Sequence, residues 1–195
     1  MSEGESRGAP RAVAIGASAG AVQALLKILP ALPADYPAAV MIVVHVPPDR
    51  DNALVALFQS KCRIRVKEAE DKEIVAAGTV YFAPSDYHLL VEGDGSLALS
   101  SDEPVNHSRP SVDVLLESAA DAYGEGLIGV VLTGANDDGA AGLRAVVDAG
   151  GLAVVQEPAG AYAPTMPAAA LKAAAAAKAM PLDRVTAYLA SLGTA

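Results

Sequence analysis

A serine at position 18 sits among small residues in Gly16-Ala17-Ser18-Ala19-Gly20, after the apolar run Ala12-Val13-Ala14-Ile15 and before a stretch with helical spacing at Val22, Leu25, Leu26 and Leu29. Small neighbours let the backbone turn sharply from strand to helix. Such a turn exposes the hydroxyl and aims the following N–H groups at whatever it attacks. The same turn can instead cradle a phosphate, or simply let a helix pack closely on a sheet. Acyl transfer from serine has further needs: an imidazole to take the proton, and a carboxylate to hold that imidazole in the right tautomer. Both residue types stand at comparable places. His45 ends the apolar run 38–44, just before Pro47-Pro48, which cannot continue a ladder. Asp137 and Asp138 follow the run 127–132 through Thr133-Gly134 and precede the helix-like stretch Ala140–Val147.

Continuously apolar strands separated by helical stretches imply a parallel sheet buried on both faces, with every carboxyl end opening on one edge. Ser18, His45 and an aspartate therefore converge on that edge. The fold class expected is α/β, a doubly wound, mostly parallel sheet with helices on both faces. Thr79–Pro84 and Tyr87–Glu92 are strand-like, and Gly93-Asp94-Gly95-Ser96 is a turn signal before Leu97-Ala98-Leu99. These predict an antiparallel hairpin excursion around residues 62–100. Cys62, with Ile64 and Val66, reads as part of a strand there, along which Lys61, Arg63, Arg65 and Lys67 alternate on one face. That face is either solvated or a docking stripe for an acidic helix. Val112, Leu115, Leu116, Ala119 and Tyr123 form the buried stripe of a helix that stops at Gly124. Gly151–Gln156 reads as a last core strand, Met166–Lys178 as an alanine-rich helix and Pro181–Leu192 as a terminal helix.

A set of motifs runs in order along nearly the whole chain. Ala14-Ile15-Gly16-Ala17-Ser18-Ala19-Gly20, Val44-His45-Val46-Pro47-Pro48, Glu68-Ala69-Glu70-Asp71 and Tyr81-Phe82-Ala83-Pro84 come first. Asn106-His107-Ser108-Arg109-Pro110-Ser111-Val112-Asp113-Val114-Leu115, Leu132-Thr133-Gly134 and Asp138-Gly139-Ala140-Ala141-Gly142 follow. The chain resembles the catalytic domain of the chemotaxis protein-glutamate methylesterases, the CheB family. The resemblance implies a carboxylic ester hydrolase that demethylates γ-glutamyl methyl esters on methyl-accepting chemotaxis receptors, releasing methanol, and deamidates certain receptor glutamines. Its partner would be the receptor's cytoplasmic helical region, and its triad would fall on Ser18, His45 and Asp138. Asp138 is preferred to Asp137 because it directly precedes Gly139, as in the family motif. Two departures stand out. Ala19 and Ala21 replace a threonine and a glycine of the family's turn, leaving backbone N–H groups as oxyanion donors. Ala135-Asn136-Asp137 stands where the family tends to have Met-Gly-Asn.

Composition sets the remaining bounds. A chain of 195 residues can bury roughly 70% of its unfolded surface and needs no staples. The expected organisation is a disordered lead over residues 1–10 and a single methylesterase catalytic domain over 11–195, with no receiver domain ahead of it. Phosphorylation control in cis would then be absent. Met1–Pro10 lacks the layout of a signal peptide, and no long uncharged apolar span is present, so a cytoplasmic protein without membrane insertion is expected. A single cysteine excludes an intrachain disulfide. A net charge of −9 without a broad basic patch argues against nucleic-acid binding. Three histidines at no ligand spacing leave no expected metal, and no cofactor is expected either. His88, alternating with apolar residues, reads as packed or surface-lying. His107 and Arg109 share a loop that could approach the cleft, Arg109 either clamping a substrate oxygen or making a helix-start ion pair. A degenerate dinucleotide-binding turn at Gly16–Ala21 fails at the second and third glycines, and His45 stands where a ribose-binding acid would be expected. A non-catalytic receptor-binding or scaffold module is the alternative to an enzyme.

Overall fold

The computed structural model describes residues 11–45 and 53–194. The expected lead over 1–10 and the Pro47-Pro48 strand stop lie outside the described residues. Nine strands and six α-helices run in the order β1 (Ala12–Ala17), α1 (Ala21–Ile28), β2 (Ala39–Val44), α2 (Ala53–Lys61), β3 (Arg65–Glu68), β4 (Thr79–Phe82), β5 (His88–Val91), β6 (Leu97–Ser100), α3 (Val112–Tyr123), β7 (Leu127–Val131), α4 (Ala140–Asp148), β8 (Leu152–Gln156), α5 (Thr165–Ala173), β9 (Lys178–Met180) and α6 (Leu182–Ser191) among the described residues.

Seven strands form one sheet in the order β3-β4-β2-β1-β7-β8-β9, and every pairing within it is parallel. Alternate side chains of β1 and β2 feed two cores. Val13, Ile15, Ala17, Val40, Ile42 and Val44 pack with Leu25 and Ile28 of α1 and Val185 and Leu189 of α6. Ala12, Ala14, Ala39, Met41 and Val43 pack with Leu115, Leu116 and Ala119 of α3 and Leu143 and Val146 of α4. Burying a leucine such as Leu25 or Leu115 contributes about 1.5–3 kcal/mol, which is why strands covered on both sides need no polar face. Gly142 of α4 lies so close to α3 that a Cβ there would come within 2.7 Å of Leu116 Cβ and 2.9 Å of Asp113 Cα. The two helices therefore cross at van der Waals contact, directly behind the sheet's carboxyl edge.

Antiparallel pairing among the strands is confined to β5 and β6, whereas β3 and β4 join the main sheet in parallel. Cys62 lies past the end of α2, its N–H bonded to the Phe58 carbonyl at 2.9 Å, and not in a strand. Of the four alternating cations only Arg65 and Lys67 are on β3, and Lys67 is paired with Glu70 and Glu73. The alanine-rich stretch divides: α5 ends at Ala173, and Lys178–Met180 becomes β9, parallel to β8. Helix propensity is worth tenths of a kcal/mol per residue, and the unpaired edge of β8 outweighs it.

Candidate active site

The strand order reverses at β1, which has β2 on one side and β7 on the other. A parallel sheet opens a crevice beyond the carboxyl ends at such a point. Ser18, His45 and the 132–139 loop follow directly after these three strands. Ala17 is in register with Val44, and the His45 N–H donates to the Ala17 carbonyl at 3.2 Å. Ser18 and His45 are thus the next rung of the same parallel ladder, on strands about 4.8 Å apart.

The serine turn is anchored from both sides. The Ser18 N–H donates to the Thr133 carbonyl at 2.9 Å, and the Thr133 hydroxyl donates to the Ala19 carbonyl at 2.8 Å. Thr133 Oγ1 also accepts from the Ala163 N–H at 2.9 Å, while the Thr133 N–H donates to buried Gln156 Oε1 at 3.0 Å. Gly20 takes φ +85°, a left-handed value that a side chain would resist, and α1 starts at the next residue. Among the described residues the N–H groups of Ala19 and Gly20 have no partner, so two donors remain unpaired at the positive end of that helix.

Asp138 is fully buried and accepts five hydrogen bonds. Its Oδ2 takes His45 Nε2 at 2.7 Å and the Val112 N–H at 2.7 Å. Its Oδ1 takes Asn106 Nδ2 at 3.0 Å, the Ser111 hydroxyl at 2.8 Å and the Asp113 N–H at 3.1 Å. Burial opposes its charge, but the bonds from His45, Val112, Asn106 and Asp113 prevail and hold the carboxyl below the usual carboxylate range. Asp138 thereby caps α3 from outside that helix, because Ser111 at the N-cap makes no side-chain cap of its own.

The capping is reciprocal. Asp113, in the first turn of α3, accepts the Gly139 and Gly142 N–H groups of α4 at 2.9 and 2.7 Å. Asn106 Nδ2 bridges the two carboxylates, donating to Asp113 Oδ2 at 2.7 Å and to Asp138 Oδ1 at 3.0 Å. Desolvation, and then the nearby Asp138 charge, raise the Asp113 carboxyl above its ordinary value against the opposing bonds from Gly142, Asn106 and Gly139. On the ring's other side, Asn136 Nδ2 lies 3.1 Å from His45 Nδ1.

The structure therefore brings His45 and Asp138 into contact beside Ser18, and leaves Asp137 exposed. His88 is buried, with Nε2 3.0 Å from the Glu103 carbonyl and Nδ1 accepting from the Ser111 N–H at 3.2 Å. His107 is exposed, and its neighbour Asn106 is the residue that reaches inward. The Arg109 guanidinium binds Asp86 at 2.7 Å and the Ser101 and Asp102 carbonyls at 3.0 Å each, so it fastens its own loop. Asn106, Asp113 and Asn136 were not singled out by sequence reasoning. A Ser-x-Asp helix start was a signal for capping, but its target on a second helix is visible only in three dimensions. Among the described residues, no group of three or more His, Cys, Asp or Glu is placed to hold a metal ion. No helix there is long and apolar enough to cross a membrane.

The model of the family described as CheB methylesterase matches residues 13–189. A Leptospira interrogans protein is 44% identical over 174 residues, covering 89% of this chain and 90% of that protein. A protein-glutamate methylesterase/protein-glutamine glutaminase of Symbiobacterium thermophilum is 38% identical over 175 residues, covering 90% of this chain and 48% of its own length. The chain thus spans about half of that relative. The crystal structure of the Thermotoga maritima CheB methylesterase catalytic domain superposes with a TM-score of 0.89 at 33% identity, covering 94% of this chain and 98% of the other. This chain belongs to the CheB methylesterase family, a family of hydrolases.

Proposed function

We propose that this chain is a cytoplasmic serine hydrolase that demethylates γ-glutamyl methyl esters on the helical region of methyl-accepting chemotaxis receptors and deamidates receptor glutamines. The names of its relatives supply the substrate class. The observation that carries the chemistry is the His45 imidazole, pinned by a buried carboxylate on the rung it shares with Ser18.

Ser18 Oγ attacks the ester carbonyl carbon as its proton passes to His45 Nδ1. Asp138 holds Nε2–H and stabilises the imidazolium that forms. The carbonyl oxygen becomes an oxyanion near the free Ala19 and Gly20 N–H groups, where one donor is worth about 3 kcal/mol in comparable sites. His45 then returns the proton to the departing methoxide, methanol leaves, and an acyl-serine remains. Water, deprotonated by His45 in turn, releases the glutamate carboxylate and restores Ser18. A glutamine side chain follows the same course with ammonia as leaving group.

The test is methanol release from membranes bearing methylated receptors, before and after addition of the purified chain. Release that scales with chain concentration supports the reading. No release from several receptor preparations, by protein whose fold is verified, favours a binding module instead.

A further inference from the structure

Asn136 lies outside the proposed triad, in the loop between β7 and α4, yet it occupies the nitrogen that the chemistry needs. Asp138 accepts at both oxygens, so the proton shared with His45 resides on Nε2 and donates across 2.7 Å. Nδ1 is then the lone-pair nitrogen. The Asn136 amide has one orientation that satisfies its neighbours. The Asp138 N–H donates to Asn136 Oδ1 at 3.1 Å, which turns Nδ2 toward His45 Nδ1, also at 3.1 Å. Ser18 Oγ has no hydrogen-bond partner among the described residues, although Ser18 stands on the same rung as His45. A single in-plane lone pair accepts one strong hydrogen bond, so the serine hydroxyl and the asparagine amide compete for it.

We infer that Asn136 is a positioning residue: its amide occupies the lone pair of His45 Nδ1 and holds the base nitrogen in a resting state, which ends when the Ser18 hydroxyl displaces the amide. This rests on the triad reading given above. Apart from its contact with His45, the amide's only hydrogen bond among the described residues is through its oxygen, from the Asp138 N–H. Rotation about the Asn136 side chain therefore frees Nδ1 without moving His45 or Asp138. A neutral hydrogen bond of this kind shifts an equilibrium by between about twofold and tenfold, and the resting state should slow nucleophile activation by that factor.

The experiment measures the rate at which a fluorophosphonate labels Ser18 in the wild type, Asn136→Ala and Asn136→Asp, with Ser18→Ala as the blank. Nitrogen-15 spectra of the His45 ring are recorded beside it. Asn136→Ala should label about two to ten times faster than wild type, with Nε2–H retained and the Nδ1 resonance shifted to that of an unbonded lone pair. Asn136→Asp keeps the acceptor for the Asp138 N–H but sets a carboxylate against Nδ1. A carboxylate at each ring nitrogen favours the doubly protonated imidazolium, which has no lone pair to take the serine proton, and labelling should fall at least tenfold. Equal or slower labelling of a folded Asn136→Ala overturns the inference, as does a wild-type spectrum showing Nδ1–H, which needs no variant. Labelling that persists in Ser18→Ala would strike the triad reading itself.

Discussion

Replacing Asp138 by asparagine exchanges one acceptor oxygen for a donor, and the structure indicates which. With the amide nitrogen in the Oδ1 seat, it would face the Asn106 amide, the Ser111 hydroxyl and the Asp113 N–H. The hydroxyl can rotate to accept, but two N–H donors lose their partner. In the Oδ2 seat the nitrogen would face only the Val112 N–H and His45 Nε2. The imidazole can answer by moving its proton to Nδ1, which leaves one orphan, at Val112. The cheaper orientation is therefore the one that inverts the histidine tautomer and removes the base. Catalysis should fall by at least two orders of magnitude in kcat, toward the roughly 10⁴-fold loss seen when a protease triad is altered in this way. Stability should fall too. One buried unsatisfied N–H costs about 1–3 kcal/mol, and the lost negative charge at the start of α3 about 0.3–1 kcal/mol, together about 1–4 kcal/mol. In a domain of this size that lowers Tm by roughly 3–16 °C. Asp137, exposed one residue earlier, serves as the control, and Asp137→Asn should keep nearly full activity. Methanol release and differential scanning calorimetry on both variants, assayed well below either Tm, decide the matter. Asp138→Asn within tenfold of wild type, or the larger loss at Asp137, would show that Asp138 does not orient the imidazole.

Three further outcomes follow from the same geometry. Because the Asp138 carboxyl is held below the usual carboxylate range, its contribution to stability is complete above about pH 4 and lost as pH falls through its folded value. The urea-midpoint gap between wild type and Asp138→Asn should thus persist from pH 7 to about pH 4 and close below; a gap unchanged at pH 3 would contradict this. Gly142→Ala places a Cβ 2.7 Å from Leu116 Cβ and should force α3 and α4 apart, costing about 1–3 kcal/mol and at least tenfold in kcat through the shared capping network, whereas unaltered activity and Tm would show that the crossing tolerates a methyl. Arg109→Ala removes bonds to Asp86 and two carbonyls and should lower Tm by a few degrees while kcat stays within about threefold; a selective rise in KM would return Arg109 to a substrate-binding role.

The parallel sheet was legible because its central strands are apolar at every position, a pattern that arises only where both faces are covered. The site's edge is legible in what comes immediately after those strands, where Ser18, His45 and the 137–138 acids stand. The boundary of α5 was not legible, since eight alanines in the 168–177 region favour a helix locally and nothing in them reports the unpaired edge of β8. Cys62 misled because alternation with Ile64 and Val66 mimics a strand across a helix end. In the loop before α3, Asn106 and His107 both adopt positive φ, 52° and 62°, and it is Asn106 that reaches the two carboxylates. Sequence marked residues 135–137 as unusual, but only the distance from Asn136 to His45 says what the change does.

The central claim is that Ser18 is the nucleophile, activated by His45 and Asp138. The most direct measurement is mass-spectrometric mapping of the adduct formed by a fluorophosphonate, paired with kcat for methanol release by Ser18→Ala. The account predicts a single adduct on the peptide containing Ser18, none after His45→Ala at short times, and a Ser18→Ala variant that folds normally but loses nearly all of kcat. An adduct on another residue, or an alanine variant retaining a substantial fraction of wild-type kcat, would contradict it.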